Sequence, residues 1–320
     1  MKTVAYCHPL VPSEWIEAHG LRARWTVPRH SGAGAICGMC PYAQAVVDTL
    51  AGAGEETIAV LTTACDQMRH GAGLLAEGLG DRVFLLNVPS TWQSPASRAY
   101  YTEELQRLGR WLVGWGGRRP AAGQLAQVMA DHDRARNAFR HGQIPDEPPS
   151  WCNPVAVRLA AEAKRADRGG VALGIVGGPL MEHDLAIVEW INAAGGRIVL
   201  DATCGGYRTL PERFDPSAIE RDALAELIRA YFDHVPTIHQ RPGSRLHDWL
   251  ANAIREHRAE GLLCLRYVWC DLWHAEVARL KETAGVTILD MDLGDEDRGG
   301  EGRVVARLEA MIESLRKQPR

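Results

Sequence analysis

Thr57-Ile58-Ala59-Val60-Leu61-Thr62-Thr63-Ala64-Cys65-Asp66 is a short apolar run with β-branched content that turns polar at Cys65-Asp66 and passes into a helical pattern. The next apolar run, Val83-Phe84-Leu85-Leu86-Asn87-Val88, is stopped by Pro89, and a long amphipathic segment follows from about Ala96. Strand, helix, strand, helix in this order predicts parallel strands joined by crossover helices.

Between Arg140 and Pro154 the composition shifts. Gly142, Pro145, Pro148, Pro149 and Pro154 crowd together with few apolar residues, which reads as a linker. The pattern then repeats. Strands are expected at Val171–Val176, Arg197–Asp201, Leu262–Val268 and Val286–Asp290. Helices are expected over Leu180–Ala194, Ser217–Asp233, Leu246–Glu260 and His274–Thr283, with a closing helix from Arg303 to Arg316. Two doubly wound, Rossmann-like α/β domains result, spanning 1–145 and 146–320. In open parallel sheets ligands sit beyond the carboxyl ends of the strands. Cys65, Cys204 and Cys270 fall there, as does the Gly177-Gly178-Pro179 turn. Cys40 instead opens a helix, with Pro41 in its first turn, where the helix dipole favours a thiolate or an anionic cluster.

The 320 residues fit about two domains, and 46% hydrophobic with 24% charged residues gives an ordinary globular core. A net charge of -4 argues against nucleic acid or an anionic membrane as partner. No stretch approaches the roughly 20 apolar residues of a membrane span, and the N-terminal residues turn polar at His8, too early for a signal peptide. The expected compartment is the cytoplasm, where thiols stay reduced, so the eight cysteines read as ligands or core residues rather than disulfides.

A single cysteine is ordinarily a small buried hydrophobe. Cys264, inside an apolar strand, and Cys152, in the linker, take that reading. Cys65 and Cys270 differ, because each precedes Asp at the polar end of an apolar strand. Cys37-Gly38-Met39-Cys40 has the spacing of a redox dithiol or half a zinc site. It lacks a strand ahead of it, and no second CxxC or HxxxH completes a zinc set. Several separated cysteines suit iron–sulfur ligation, and three thiolates on a cubane leave one iron free for a substrate oxygen. His274 and Glu276, like Asp66, Arg69 and His70, are either donors to such a site or helix caps and solvated faces. The Gly32–Gly38 loop misses the dinucleotide spacing, no GxxxxGK[ST] is present, and Gly-x-Ser-x-Gly is absent.

Taken as an ordered set, several pieces carry a resemblance. They are Cys7-His8-Pro9-Leu10-Val11-Pro12-Ser13-Glu14-Trp15, Cys40-Pro41-Tyr42-Ala43, Thr62-Thr63-Ala64-Cys65-Asp66 and Val83–Pro89. Later come Gly177-Gly178-Pro179-Leu180, Asp201-Ala202-Thr203-Cys204-Gly205-Gly206, Trp269-Cys270-Asp271-Leu272-Trp273-His274-Ala275-Glu276 and Arg307–Glu313. Over nearly its whole length the chain resembles the 2-hydroxyacyl-CoA dehydratase D-component family, which includes benzoyl-CoA reductase subunits and double-cubane cluster proteins.

The resemblance implies two Rossmann-like domains with an iron–sulfur cluster in the cleft between them, a [4Fe-4S] cluster on Cys40, Cys65 and Cys270. It also implies a lyase acting on an acyl-CoA substrate, an ATP-dependent activator protein that supplies electrons, and pairing with a related subunit as a homo- or heterodimer. Double-cubane relatives, which are oxidoreductases, carry an [8Fe-9S] cluster on further cysteines. Cys7 and Cys204 match two of these, and Cys37 is another candidate. Where a further cysteine is expected, around Ile238-His239-Gln240, this chain has none, and His239 stands there instead.

Overall fold

The computed structural model describes residues 1–28, 38–143, 147–165, 169–293 and 300–317. Strands β1 (Thr3–Tyr6), β2 (Arg22–Trp25), β3 (Thr57–Thr62) and β4 (Val83–Leu86) form one parallel sheet in the order β2-β1-β3-β4. A second parallel sheet holds β5 (Val171–Gly177), β6 (Gly196–Ala202), β7 (Gly261–Tyr267) and β8 (Thr287–Leu293) in the order β6-β5-β7-β8. The two sheets share one winding pattern, and it is that of two Rossmann-like units.

Period-2 alternation explains why each sheet carries helices on both faces. Helices α1 (Ser13–Ala18), α2 (Pro41–Ala51), α3 (Asp66–Leu79), α4 (Pro95–Gly114) and α5 (Gln124–Arg140) belong to the first half. Ile58 and Val60 of β3 pack with Ile16 of α1 and with Tyr101, Leu105 and Leu108 of α4. Ala59 and Leu61, on the other face, pack against Val46 and Leu50 of α2 and Leu75 of α3. Each fully buried aliphatic side chain contributes about 1.5–3 kcal/mol, so a six-residue strand covered on both sides is a strong local determinant.

In the second half lie α6 (Pro154–Arg165), α7 (Ala186–Ala193), α8 (Pro216–Ile228), α9 (Ser244–His257), α10 (Asp271–Thr283) and α11 (Gly300–Lys317). Leu263 and Leu265 of β7 face α7 and α11, whereas Leu262 and Cys264 face α9 and α10.

The structure differs from the sequence reading at several elements, helices α1, α5 and α6 among them, which that reading does not contain. Strands β1 and β2 were not foreseen. Each has four residues, and β2 alternates exposed Arg22 and Arg24 with buried Ala23 and Trp25, as an edge strand does, so it makes no apolar run. A strand therefore does stand ahead of the glycine-rich segment, contrary to the sequence reading. The helix expected from Leu180 starts as a 3-10 turn at Glu182–Leu185, and the one expected to end at Asp233 passes into a π-helical turn at Arg229–Asp233.

Residues 214–235 leave the second sheet and pack on the first half. Phe232 stacks on Tyr101 with ring centroids 4.8 Å apart, and Phe214, Leu227 and Tyr231 cover Ala18, Leu125 and Met129. Beneath them lies a buried polar network. Arg136 of α5 donates to Glu14 of α1 and, at 2.7 Å, to the Tyr231 hydroxyl, which donates in turn to Glu14 Oε2 at 2.7 Å. Burial pushes the Glu14 carboxyl up, but Arg136 and His132 pull harder and hold it well below the usual carboxylate range. Elsewhere the halves are joined by Trp25 N–H to the Ser150 carbonyl at 2.8 Å and by the Tyr6 hydroxyl to the Trp151 carbonyl at 3.0 Å.

Candidate functional site

The carboxyl edges of both sheets open on one cavity, lined from both halves of the chain. Each sheet reverses its winding direction at its first strand, β1 or β5, and such switch points are where open α/β sheets leave a crevice. Five cysteines line this cavity: Cys7, directly after β1; Cys40, before α2; Cys65, after β3; Cys204, after β6; and Cys270, after β7. Cys37 lies outside the described residues. Cys264 sits wholly buried in β7, and Cys152 lines a different, mainly apolar cavity beside Tyr6 and Arg136.

Cys40, Cys65 and Cys270 share a local structure. Each is the N-cap of its helix, α2, α3 and α10 respectively. An N-cap side chain sits beside first-turn N–H groups that lack helical partners, which suits an anionic sulfur. Burial pushes the Cys40 thiol up to about 12, while N–H groups of Ala43 and Tyr42 pull it down. The same opposition acts on Cys65 with Met68 and Gln67, and on Cys270 with Trp273. The Gln67 side chain also accepts from Cys40 N–H at 3.0 Å, joining the starts of α2 and α3. Ahead of Cys270, Trp269 adopts a left-handed φ of 66° and is 58% exposed, a strained turn that carries the next residue toward the cavity.

The thiols also disfavour one another's ionisation. Cys65 and Cys204 raise Cys7, which burial has already taken up to about 12, and Cys270 and Cys65 raise Cys40. Five such groups in one apolar space stay protonated until a cation displaces the protons. Among the described residues no three His, Cys, Asp or Glu side chains converge on a single metal ion. Thiolates of a cubane bind different irons, so their sulfurs stand further apart than ligands of one ion. The donor set fits an iron–sulfur cluster.

Of the other polar groups in the cavity, the sequence singles out His239 alone, where a further cysteine is expected. His8 Nδ1 accepts from Leu10 N–H at 3.2 Å, which puts the proton of the neutral ring on Nε2, a buried nitrogen with no partner among the described residues. His239 has the converse arrangement: its ring bonds the Ala64 backbone, and its buried Nδ1 has no partner among the described residues. The rings lie 4.9 Å apart. Burial and the charge of Arg208 lower both, His239 to about 4, so both are neutral near pH 7. Arg208, 2% exposed, also lines the cavity. His8 stood in the sequence only as part of the Cys7–Trp15 piece, and Arg208 only as a neighbour of Cys204.

The remaining sequence candidates lie apart. His274 is exposed, and Glu276 is bound by His247 Nε2 at 2.6 Å. Arg69 pairs with Asp66 at 2.8 Å on the solvent face.

Gly177 shows how tightly the cavity floor is built. A Cβ there would lie 1.9 Å from the Leu265 carbonyl oxygen, and the Gly177 carbonyl accepts from Arg208. Gly177→Ala is expected to lower stability by about 3 kcal/mol or more, as overpacking does, read as a shift of the urea midpoint. An unchanged midpoint would mean that β5 and β7 part easily.

Residues 36–315 match a family model described as the 2-hydroxyglutaryl-CoA dehydratase D-component. No curated protein matches the chain. Solved structures align over nearly the full length but loosely. A laminin-binding adhesin of Streptococcus agalactiae is 11% identical, with 98% of this chain and 99% of that chain covered, at a TM-score of 0.23. A periplasmic zinc binding protein of Treponema pallidum is 8% identical, with 97% and 99% covered, at 0.25. No helix among the described residues is long and apolar enough to cross a membrane. The match over 36–315 spans the whole second sheet, strands β3 and β4 of the first and four of the five cavity cysteines, and the chain belongs to the 2-hydroxyglutaryl-CoA dehydratase D-component family.

Proposed function

We propose that this chain is the cluster-bearing subunit of a 2-hydroxyacyl-CoA dehydratase-like enzyme, a cytoplasmic lyase that removes water reductively from an acyl-CoA. The electron comes from an ATP-dependent activator, and a related subunit completes a dimer. The observation that carries the reading is the meeting of Cys40, Cys65 and Cys270, three helix N-caps from two sheets, on one cavity. When bound, a [4Fe-4S] cluster on these residues supplies one-electron chemistry and an iron open to a substrate oxygen.

The chain's own groups complement a hydroxyl. His8 Nε2–H is a donor and His239 Nδ1 an acceptor, both buried and on adjacent neutral rings. A hydroxyl both donates and accepts, so the pair would orient the α-hydroxyl through one hydrogen bond accepted from His8 Nε2–H and one donated to His239 Nδ1. Leu61, Ile238 and Trp273 keep water out.

Cys7 and Cys204 on the same cavity favour a second reading, in which a larger [8Fe-9S] cluster serves a related reductase. Anaerobic reconstitution with iron and sulfide analysis separates the two: about four irons per chain supports the first, about eight the second. A colourless, iron-free protein would sink both. Turnover of 2-hydroxyacyl-CoAs with an activator then tests the reaction, and silence across a broad acyl series would leave only an electron-relay role.

A further inference from the structure

Arg208 is a buried cation to which no carboxylate among the described residues is hydrogen-bonded. Its Nε donates to the Ala202 carbonyl at 2.7 Å, one terminal nitrogen to the Pro236 carbonyl at 2.6 Å and the other to the Gly177 carbonyl at 3.2 Å. These are neutral acceptors. A guanidinium has five N–H donors, so two make no hydrogen bond among the described residues. Asp201 acts on Arg208 through space with no hydrogen bond to it; its carboxyl accepts from the Thr203 backbone N–H at 2.9 Å and hydroxyl at 2.6 Å, and burial pushes it up, toward the neutral form that cannot offset the guanidinium. Trp273 lies under the guanidinium with its ring centroid 5.6 Å away. The side chain is thus fixed from three sides and lines the cysteine cavity with a permanent charge.

An uncompensated buried charge is strongly unfavourable. The neutral His8 and His239 do not offset it, and protonated thiols do not either. An anion in the cavity would.

We propose that Arg208 is the fixed counter-charge of the cavity, that it holds an anionic iron–sulfur cluster there, and that it raises the cluster's reduction potential. This rests on the cluster reading above but names a residue and a property which that reading does not require. Net charge and hydrogen bonds to sulfur are among the levers that set the potential of such clusters. The reduced cluster carries one more negative charge than the oxidised one, so a nearby cation favours reduction. At the effective dielectric of protein interiors a unit charge at the cavity wall is worth at least tenfold in the reduction equilibrium.

The test is a redox titration of the anaerobically reconstituted full chain, followed by electron paramagnetic resonance, with iron analysis of every sample. Arg208→Gln is expected to lower the midpoint potential by about 59 mV or more, the value of a tenfold change in a one-electron couple. Arg208→Lys keeps the charge but is too short for all three carbonyls, and is expected to stay within threefold of wild type. Loss of iron from folded R208Q with iron kept in R208K also supports the proposal. A tenfold fall in R208K would assign the residue a structural role and overturn it, even if R208Q fails to fold. So would an iron-replete R208Q with an unchanged potential. An iron-free wild type would overturn the cluster reading as well, whereas an iron-replete wild type with an indifferent Arg208 overturns this proposal alone.

Discussion

Cys65→Ser and Cys270→Ser are each expected to strip most of the iron from the anaerobically reconstituted protein, while Cys264→Ser keeps it. The contrast is informative because the stability effects run the other way. Cys65 and Cys270 are helix N-caps, and serine is among the best N-cap residues. Exchanging sulfur for oxygen there leaves α3 and α10 capped but removes a soft ligand that iron–sulfur centres require. Cys264 is wholly buried in β7, opposite Val176 on one side and Asp290 on the other. A hydroxyl in that apolar setting costs about 1–3 kcal/mol without a partner and takes nothing from the cavity. Iron content and the denaturation midpoint should therefore move in separate variants. Equal iron in all three proteins would refute the assignment of Cys65 and Cys270.

Arg136→Met is expected to destabilise the fold by about 3–5 kcal/mol, the cost of leaving one member of a buried ion pair alone. Glu14 and Arg136 are both almost fully enclosed. Glu14→Gln in the same background should recover much of the loss, because a neutral amide no longer carries the uncompensated charge. The loss should also depend on pH. In the wild type the Glu14 pKa is depressed, so its stabilisation is present above the unfolded value of about 4.3 and is lost only far below it. Without Arg136, burial raises the carboxyl instead, and protonation relieves the buried charge as pH falls. The gap between wild type and R136M should thus be widest near neutral pH and narrow in acid. Urea denaturation at several pH values checks this; a gap that does not change with pH would mean that the pair is worth no more than its packing.

Strands β3 to β8 were legible because each is a run of apolar residues bounded by turn residues, a signal that survives without any tertiary information. β1 and β2 were not: Thr3–Tyr6 is too short, and Arg22 and Arg24 of β2 dilute an edge strand whose inward residues are only Ala23 and Trp25. The cysteines could be placed at strand ends one by one. That Cys7 and Cys204 reach the same cavity as Cys40, Cys65 and Cys270 depends on strand order, which local sequence does not encode. Arg208 was hidden for a different reason. Its meaning lies in three backbone carbonyls from separate segments, and carbonyls have no sequence signature. The departure of residues 214–235 onto the first half was equally invisible, since an amphipathic helix does not state which surface it covers.

That crossing segment bears on how anything enters or leaves the cavity. Parting the halves like a pair of jaws would unstack Phe232 from Tyr101 and draw Tyr231 away from Glu14 and Arg136, all at once. Those contacts latch the jaws. Exchange is then expected at the rim of the cavity, past the half-buried side chain of Met68, with the halves held together. Exposed side chains reorient in picoseconds to nanoseconds, whereas hinge motions take microseconds to milliseconds. Traffic through this site is therefore expected to be clocked by side chains rather than by domains.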